Sequence, residues 1–251
     1  MMNPAEFANI AKAEAQFWWY RGMRRIMYGL LDPLFAARRY RRVLEAGCGT
    51  GHFARVLRER YQTHVVAMDL GWEGLEYARR FGLPALVQGD IRALPFRGGA
   101  FDLLVSMDVV VHLPRGEEGA AFAEFARVLQ PGGTLALRVS ALDLLRSRHS
   151  QAAHERQRFT RTRLIRAVRQ AGFRVDRCTY ANSLLLPVAF TKFRLVEPLL
   201  PGPPESGVRP VSPWLDKLLY QPLALEARWI ARGGNLPLGQ SLILLGVKDG
   251  G

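Results

Sequence analysis

The sequence predicts an α/β protein: a doubly wound, mostly parallel seven-stranded sheet with helices on both faces, preceded by a helical extension and interrupted late by an insertion. Three observations predict it. From residue 42 onward, short apolar runs alternate with stretches of helical periodicity, five times in succession. These runs are apolar on both faces, as strands of a parallel sheet covered by helices on each side are. The 251 residues are 49% hydrophobic and 23% charged, enough for a large core. That composition excludes a disordered chain, a collagen-like repeat and a disulfide-stapled miniprotein.

Residues 1–40 form the expected helical cap. Phe7, Ile10, Ala11, Phe17, Trp18, Ile26, Leu30 and Leu31 recur at helical spacing, with Gly22 and Gly29 expected to interrupt the helix and Asp32-Pro33 to end or kink it. Residues 41–251 form the main domain. Its first strand is Val43–Ala46, with a helix from about 52; its second is Val65–Met68, with a helix from about 72. Ala85–Val87, Phe101–Met107 and Thr134–Ser140 follow, with a helix near 117–129 between the last two. A helix over Thr160–Ala171 leads through Gly172 into Phe173–Tyr180, and Ser241–Val247 is the last strand. The Pro-rich insertion spans about 184–238, with helices expected at Trp214–Leu219 and Leu223–Ala231.

The formal charge is +13, and only four of the 35 basic residues are lysines. The excess is uneven. Residues 21–60 carry ten arginines against three acids and 138–177 eleven against three, while 61–137 carry six against nine. Such a surface suits nucleic acid, anionic lipid or a phosphorylated small substrate, or arises from an arginine-rich composition alone. Cys48 and Cys178 stand far apart and form neither a zinc cluster nor a CxxC pair, so no metal is expected. With no export signal in MMNPAEFANIAKAEAQ and no run near the ~20 apolar residues that cross a bilayer, a cytoplasmic, at most membrane-peripheral, location is expected.

In doubly wound sheets, ligands bind beyond the carboxyl ends of the strands. The first strand ends in Glu45-Ala46-Gly47-Cys48-Gly49-Thr50-Gly51 and passes directly into a helix. Glycines there permit a tight turn whose main chain a ligand can approach, and a helix N-terminus favours an anionic group. The spacing is G-x-G-x-G, not the G-x-G-x-x-G of dinucleotide binders. Asp69 closes the second strand about twenty residues on, where an acid can accept from ribose hydroxyls. Asp90 follows the third strand, where a carboxylate can accept from an exocyclic amine; as isolated acids, both also suit helix N-caps. The fourth strand runs into Asp108-Val109-Val110-Val111-His112-Leu113, and Leu129-Gln130-Pro131-Gly132-Gly133-Thr134 announces the fifth.

Taken in order, EAGCGTGHFARVL, AMDL, QGDIRALPF, FDLLVSMDVVVHLP and LQPGGTLALRV resemble the class I S-adenosylmethionine-dependent methyltransferases over about residues 43–180. The resemblance implies a Rossmann-like fold and S-adenosyl-L-methionine as cofactor, leaving S-adenosyl-L-homocysteine as product. It implies that Glu45, Gly47, Gly49 and Gly51 hold the methionine half. Asp69 with Leu70 would take the ribose, Asp90 and the Ile91 backbone the adenine, and Met107 and Asp108 would line the cofactor pocket. Phe17-Trp18-Trp19-Tyr20-Arg21-Gly22 and His154-Glu155-Arg156-Gln157-Arg158-Phe159-Thr160, together with Ala171-Gly172-Phe173 and Tyr180-Ala181-Asn182-Ser183, resemble a bacterial subgroup that acts on small molecules or lipid- and sugar-linked metabolites.

A methyl sulfonium carries its own leaving group, so in-line transfer chiefly needs alignment, worth ~7–11 kcal/mol. A base is needed only if the acceptor must lose its proton early; His112, His149 and His154 are the candidates, with packing or solvated-loop roles as their alternatives. Trp18 and Trp19 fit a lid over the cofactor or an anchor for the first helix, and Arg21, Arg24 and Arg25 a ligand anion or a solvated face. Cys48 reads as a buried filler. The expected acceptor is a small or lipid-linked molecule. RNA is the rival, without an Asn-Pro-Pro-aromatic motif, a Pro-Cys pair or an appended RNA module. A non-catalytic cofactor-binding scaffold is the second rival. The apolar insertion suits a cap that admits a lipid-linked substrate from a membrane, an ordinary packed cap, or a dimer contact; oligomeric state is left open.

Overall fold

In the computed structural model, residues 4–200, 202–203, 206–208 and 211–250 are described, without the side chains of Pro4 and Ala5. Positions 201, 204–205 and 209–210 of the insertion lie outside the described residues.

Two helices open the chain, α1 (Pro4–Ala13) and α2 (Trp18–Ala37). Five units of the sheet follow: β1 (Arg42–Ala46), α3 (His52–Tyr61), β2 (His64–Asp69), α4 (Trp72–Arg80), β3 (Leu86–Gln88), β4 (Phe101–Met107), α5 (Glu118–Val128) and β5 (Leu129–Ser140). After β5 come α6 (Arg148–Ala152), α7 (Arg161–Gln170) and β6 (Phe173–Ala181). The insertion holds α8 (Leu186–Phe190), continued by a π turn over Thr191–Val196 into α9 (Glu197–Leu199), and then α10 (Pro213–Ala231). β7 (Ser241–Lys248) ends the fold.

The sheet has seven strands in the order β3-β2-β1-β4-β5-β7-β6. β1 to β5 pair in parallel, and β7 inserts antiparallel between β5 and β6. The order reverses at β1 and β4, so the carboxyl ends of these two strands open the crevice in which such sheets bind ligands. One face is packed by Phe122, Phe125, Phe159 and Leu164; the other is packed by Met23, Ile26, Leu57 and Leu223.

Three expectations need correction. The break in the N-terminal helix falls at residues 14–17, not at Gly22 or Gly29. Both glycines lie inside α2 because α10 presses on them: a Cβ at Gly22 would stand 2.2 Å from Leu223 Cδ1, and one at Gly29 3.1 Å from the Ala231 Cβ. Pro33 is likewise carried within α2, which runs on to Ala37. The two helices expected in the insertion are one, α10, running through Pro222. Tertiary packing decides each case, since α2 and α10 bury Met23, Ile26, Ala227 and Ile230 in the same core.

Candidate active site

The turn after β1 is built by its glycines. Gly47 has φ +85°, and a Cβ there would lie 2.2 Å from Val109 Cγ2. Gly49 has φ +54°, and the place of its missing Cβ is open space. The main chain at Gly49 is thus bare on one side, a cradle that any larger residue would fill. Asp69 ties the turn: Gly49 donates its N–H to Oδ2 at 2.7 Å and Gly71 donates to Oδ1 at 2.8 Å. Burial raises the Asp69 carboxyl above its usual range, against those two donors.

Glu45, at the end of β1, is buried, and its Oε2 has no hydrogen-bond partner among the described residues. Desolvation, reinforced by the charges of Glu14 and Asp69, holds its carboxyl well above the usual range. A buried acceptor left without a donor is costly, and a cationic or N–H-bearing ligand group would satisfy it.

Glu45, Gly47, Gly49, Asp69, Leu70, Asp90, Ile91, Met107 and Asp108 all line one cavity of about 1020 Å³ at the carboxyl edge of the sheet. Gly51 lies beneath it as the N-cap of α3. The sequence did not reveal that, besides Asp69, two of the carboxylates already have arginine partners. Asp90 is held by Arg92, whose Nη2 donates at 2.7 Å and whose backbone N–H donates at 2.8 Å. Arg138, a buried charge in β5, donates from Nε to Asp108 Oδ2 at 2.8 Å and lies under the Trp19 ring, 5.0 Å from its centroid. Asp108 itself takes φ +57°.

The three histidines separate. His112 lines the cavity; its Nδ1 lies 3.3 Å from the His154 carbonyl oxygen, which assigns the proton to that nitrogen, and burial lowers its pKa. His149 also lines the cavity, and its Nδ1 accepts from the Gly207 N–H at 2.9 Å, so Nε2 bears the proton in the neutral ring. The expectation for His154 is corrected: it is exposed with φ +57°, outside the cavity lining, because the turn after α6 directs its carbonyl to His112. The stretch that follows it lines the cavity through Glu155, Arg156 and Arg158 and is also tied to the core. Glu155 pairs with Arg158 at 2.5 Å and accepts from the Ser140 hydroxyl at 2.8 Å, while the Arg156 and Gln157 amides donate to Val111.

The N-terminal segment closes the cavity from above. Trp18, Trp19 and Tyr20 line it, and they are also anchored: the Trp18 N–H donates to Asp216 of α10 at 2.8 Å, and Arg21 pairs with the same carboxylate at 3.0 Å. Arg25 donates to the Tyr220 hydroxyl, and Arg24 to the carbonyl oxygens of Glu14 and Ala15. The aromatic segment thus lines the cavity and is anchored to α10, and the three arginines have partners within the chain, Arg24 while also lining the cavity. Phe193, Val196 and Val208 of the insertion form the far wall. Cys48 is buried, and desolvation raises its thiol well above the usual range, as an inert filler requires.

Sequence reasoning missed Glu14, His52 and Arg138 in the lining. Arg138 left a trace, as a lone charge in the apolar strand LALRVS. Glu14 left none, because its partner Thr50 is 36 residues away.

A family model described as a methyltransferase domain matches residues 43–133. Malonyl-[acyl-carrier protein] O-methyltransferase of Enterobacter lignolyticus is 34% identical over 139 residues, 55% of this chain and 54% of the relative. Probable tRNA methyltransferase 9B of Homo sapiens is 36% identical over 102 residues, 40% of this chain and 22% of the relative. The chain spans about half the length of these curated relatives or less. A chain from the complex between the Haloferax volcanii Trm112 methyltransferase activator and a methyltransferase shares the fold over 98% of both chains, with TM-score 0.60 and 20% identity.

Proposed function

We propose, from the premise that this chain carries a class I S-adenosylmethionine-dependent methyltransferase domain, that it transfers a methyl group to a small-molecule or lipid-linked acceptor held in the same cavity. The observation that carries the reading is the pairing of a bare glycine turn with the buried, unpartnered Glu45 Oε2. The residues fit the cofactor. Glu45 and the turn at Gly47 and Gly49 would hold its methionine half, with Gly51 capping α3 beneath that turn, and Asp69 with Leu70 would hold the ribose. Asp90 and Ile91 would face the adenine, with Met107 and Asp108 lining the remainder. When bound, S-adenosylmethionine supplies a methyl group on a positively charged sulfur that is itself the leaving group.

The chain's own part is alignment and exclusion of water. Trp18, Trp19 and Tyr20 cover the cavity, and Arg138 fixes Asp108 at the end of β4. His112 is the base of this reading: its Nδ1 proton is committed to a carbonyl, and its lowered pKa keeps Nε2 a free acceptor at neutral pH. His149, protonated at Nε2, is suited to donating a hydrogen bond to the acceptor.

RNA is the second reading, favoured by the charge of +13 and by the tRNA methyltransferase relative. Against it, arginines of the basic segments are engaged within the chain: Arg60 with Asp32, Arg158 with Glu155 and Arg163 with Glu118. Calorimetric titration with S-adenosylhomocysteine tests the first step, and absence of heat overturns it. Asp69→Ala should weaken that binding at least tenfold. Transfer of labelled methyl groups in cell extract tests the second, where label confined to RNA overturns the acceptor assignment.

A further inference from the structure

The insertion carries an outward face that the catalytic reading does not use. Along α10, the inward positions Leu223, Ala227 and Ile230 pack on α2 and the sheet. The opposite stripe should be polar in a helix lying on a soluble core. Instead it carries Trp214, Leu218, Leu225 and Trp229, exposed by 66%, 57%, 54% and 55%. The continuous helix of α8, the π turn and α9 adds exposed Val188, Leu195 and Leu199 at helical intervals. The two surfaces join, because Glu226 of α10 accepts the Leu184 N–H at 2.7 Å, beside exposed Leu184 and Leu225.

Charge on this insertion is sorted by direction. Its described acids all turn inward: Glu197 accepts from the Arg148 N–H, Asp216 pairs with Arg21, and Glu226 caps the Ser183 and Leu184 amides. Its described cations Arg194, Lys217, Arg228 and Arg232 are exposed, with no salt bridge among the described residues, while Lys192, also exposed, borders the large cavity. A face of exposed tryptophan and leucine with interleaved cations and no outward acid among the described residues matches the interface of an anionic bilayer, where apolar side chains enter below the headgroups and lysine and arginine meet them. No described helix is long and apolar enough to cross a membrane, so the contact is peripheral.

We infer that the chain docks on anionic membranes through the outer faces of α8–α9 and α10. The helix that carries Leu195 and Leu199 outward also turns Phe193 and Val196 into the wall of the large cavity. The docked face is therefore the other side of the acceptor chamber. The inference deepens the lipid-linked acceptor reading and rests on it for the identity of the acceptor, but not for the docking.

Flotation of the full chain with vesicles of phosphatidylcholine alone, or with 30% phosphatidylglycerol, tests it. The expected result is co-flotation with the anionic vesicles at low salt, at least tenfold above neutral ones and reduced by 0.5 M salt. The triple variant Lys217→Glu, Arg228→Glu, Arg232→Glu should lose at least tenfold of this binding, with S-adenosylhomocysteine titration unchanged. Should the variant fail to fold, brominated-tail lipids give a second measure: they should quench tryptophan fluorescence of the wild type, and less so after Trp214→Phe with Trp229→Phe. A chain that stays at the bottom of the gradient at low salt, quenching untouched by the tryptophan changes, or light scattering that shows a lipid-free dimer abolished by Leu225→Ser overturns the docking. None of these outcomes alters the cofactor titration, which fails separately if the catalytic reading is wrong.

Discussion

Thr50, in the glycine turn, donates its hydroxyl to Glu14, beyond the end of α1, at 2.7 and 2.6 Å to the two carboxylate oxygens. This bond ties the N-terminal extension to the loop at the centre of the site. Burial pushes the Glu14 carboxyl from 4.5 up to about 7, against the pull of Thr50, Arg24 and Arg55. The folded state therefore holds a proton that the unfolded chain releases. The associated stability is complete below pH 4.5 and is lost as pH rises through about 7, an effect of at most roughly 3 kcal/mol. Thermal melts from pH 4.5 to 8 should show Glu14→Gln gaining on the wild type as pH rises; parallel curves would refute the assignment.

His52 gives the opposite slope. It opens α3 inside the cavity lining, and burial, aided by the charges of Arg24 and Arg55, brings its pKa down from 6.5 to about 4. Its contribution is present above pH 6.5 and lost as pH falls through about 4, again on the order of 3 kcal/mol. His52→Gln should flatten the acid limb of the stability profile, measured by denaturant midpoints between pH 4 and 7.

Arg138 and Asp108 form an unequal pair. The arginine side chain is 6% exposed and the aspartate 27%. Removing the negative partner leaves a charge with almost no water, whereas removing the arginine leaves one that keeps some. Asp108→Asn should therefore cost more than Arg138→Met, about 3 kcal/mol or above, which in a chain of this size lowers the melting temperature by about 6 °C or more. The double variant should recover part of that loss, and a strictly additive double would contradict the pairing.

Gly22 in α2 meets Leu223 in α10 with no room for a methyl group. Gly22→Ala should destabilise by about 1–3 kcal/mol through overpacking, although alanine is the better helix former. Leu223→Ala in the same chain should relieve most of that added cost, as a double-mutant cycle on urea unfolding would show.

The legible part of the fold was periodic. Mostly apolar runs at Val43–Ala46 and Phe101–Met107, interrupted only by Glu45, Asp102 and Ser106, mark strands buried on both faces, because that burial demands apolar side chains in both directions. The two proline-bearing helices were misjudged for one reason: local propensity penalises Pro33, Pro222, Gly22 and Gly29, whereas the core shared by α2 and α10 outweighs it.

By itself the sequence determined the doubly wound sheet, the glycine turn at Gly47–Gly51 and the row of acids at Glu45, Asp69, Asp90 and Asp108, all of which lie within a few residues of strand ends. Folding in three dimensions set how those acids are occupied: Asp90 by Arg92, Asp108 by Arg138, and Asp69 by two backbone amides, while Glu45 Oε2 has no partner among the described residues. It also brought Glu14 to Thr50 and turned the insertion's described acids inward. The physical reason is range. Strand and turn preferences are set by neighbours in the chain, whereas a carboxylate's partner is chosen among all groups that folding brings within about 3 Å.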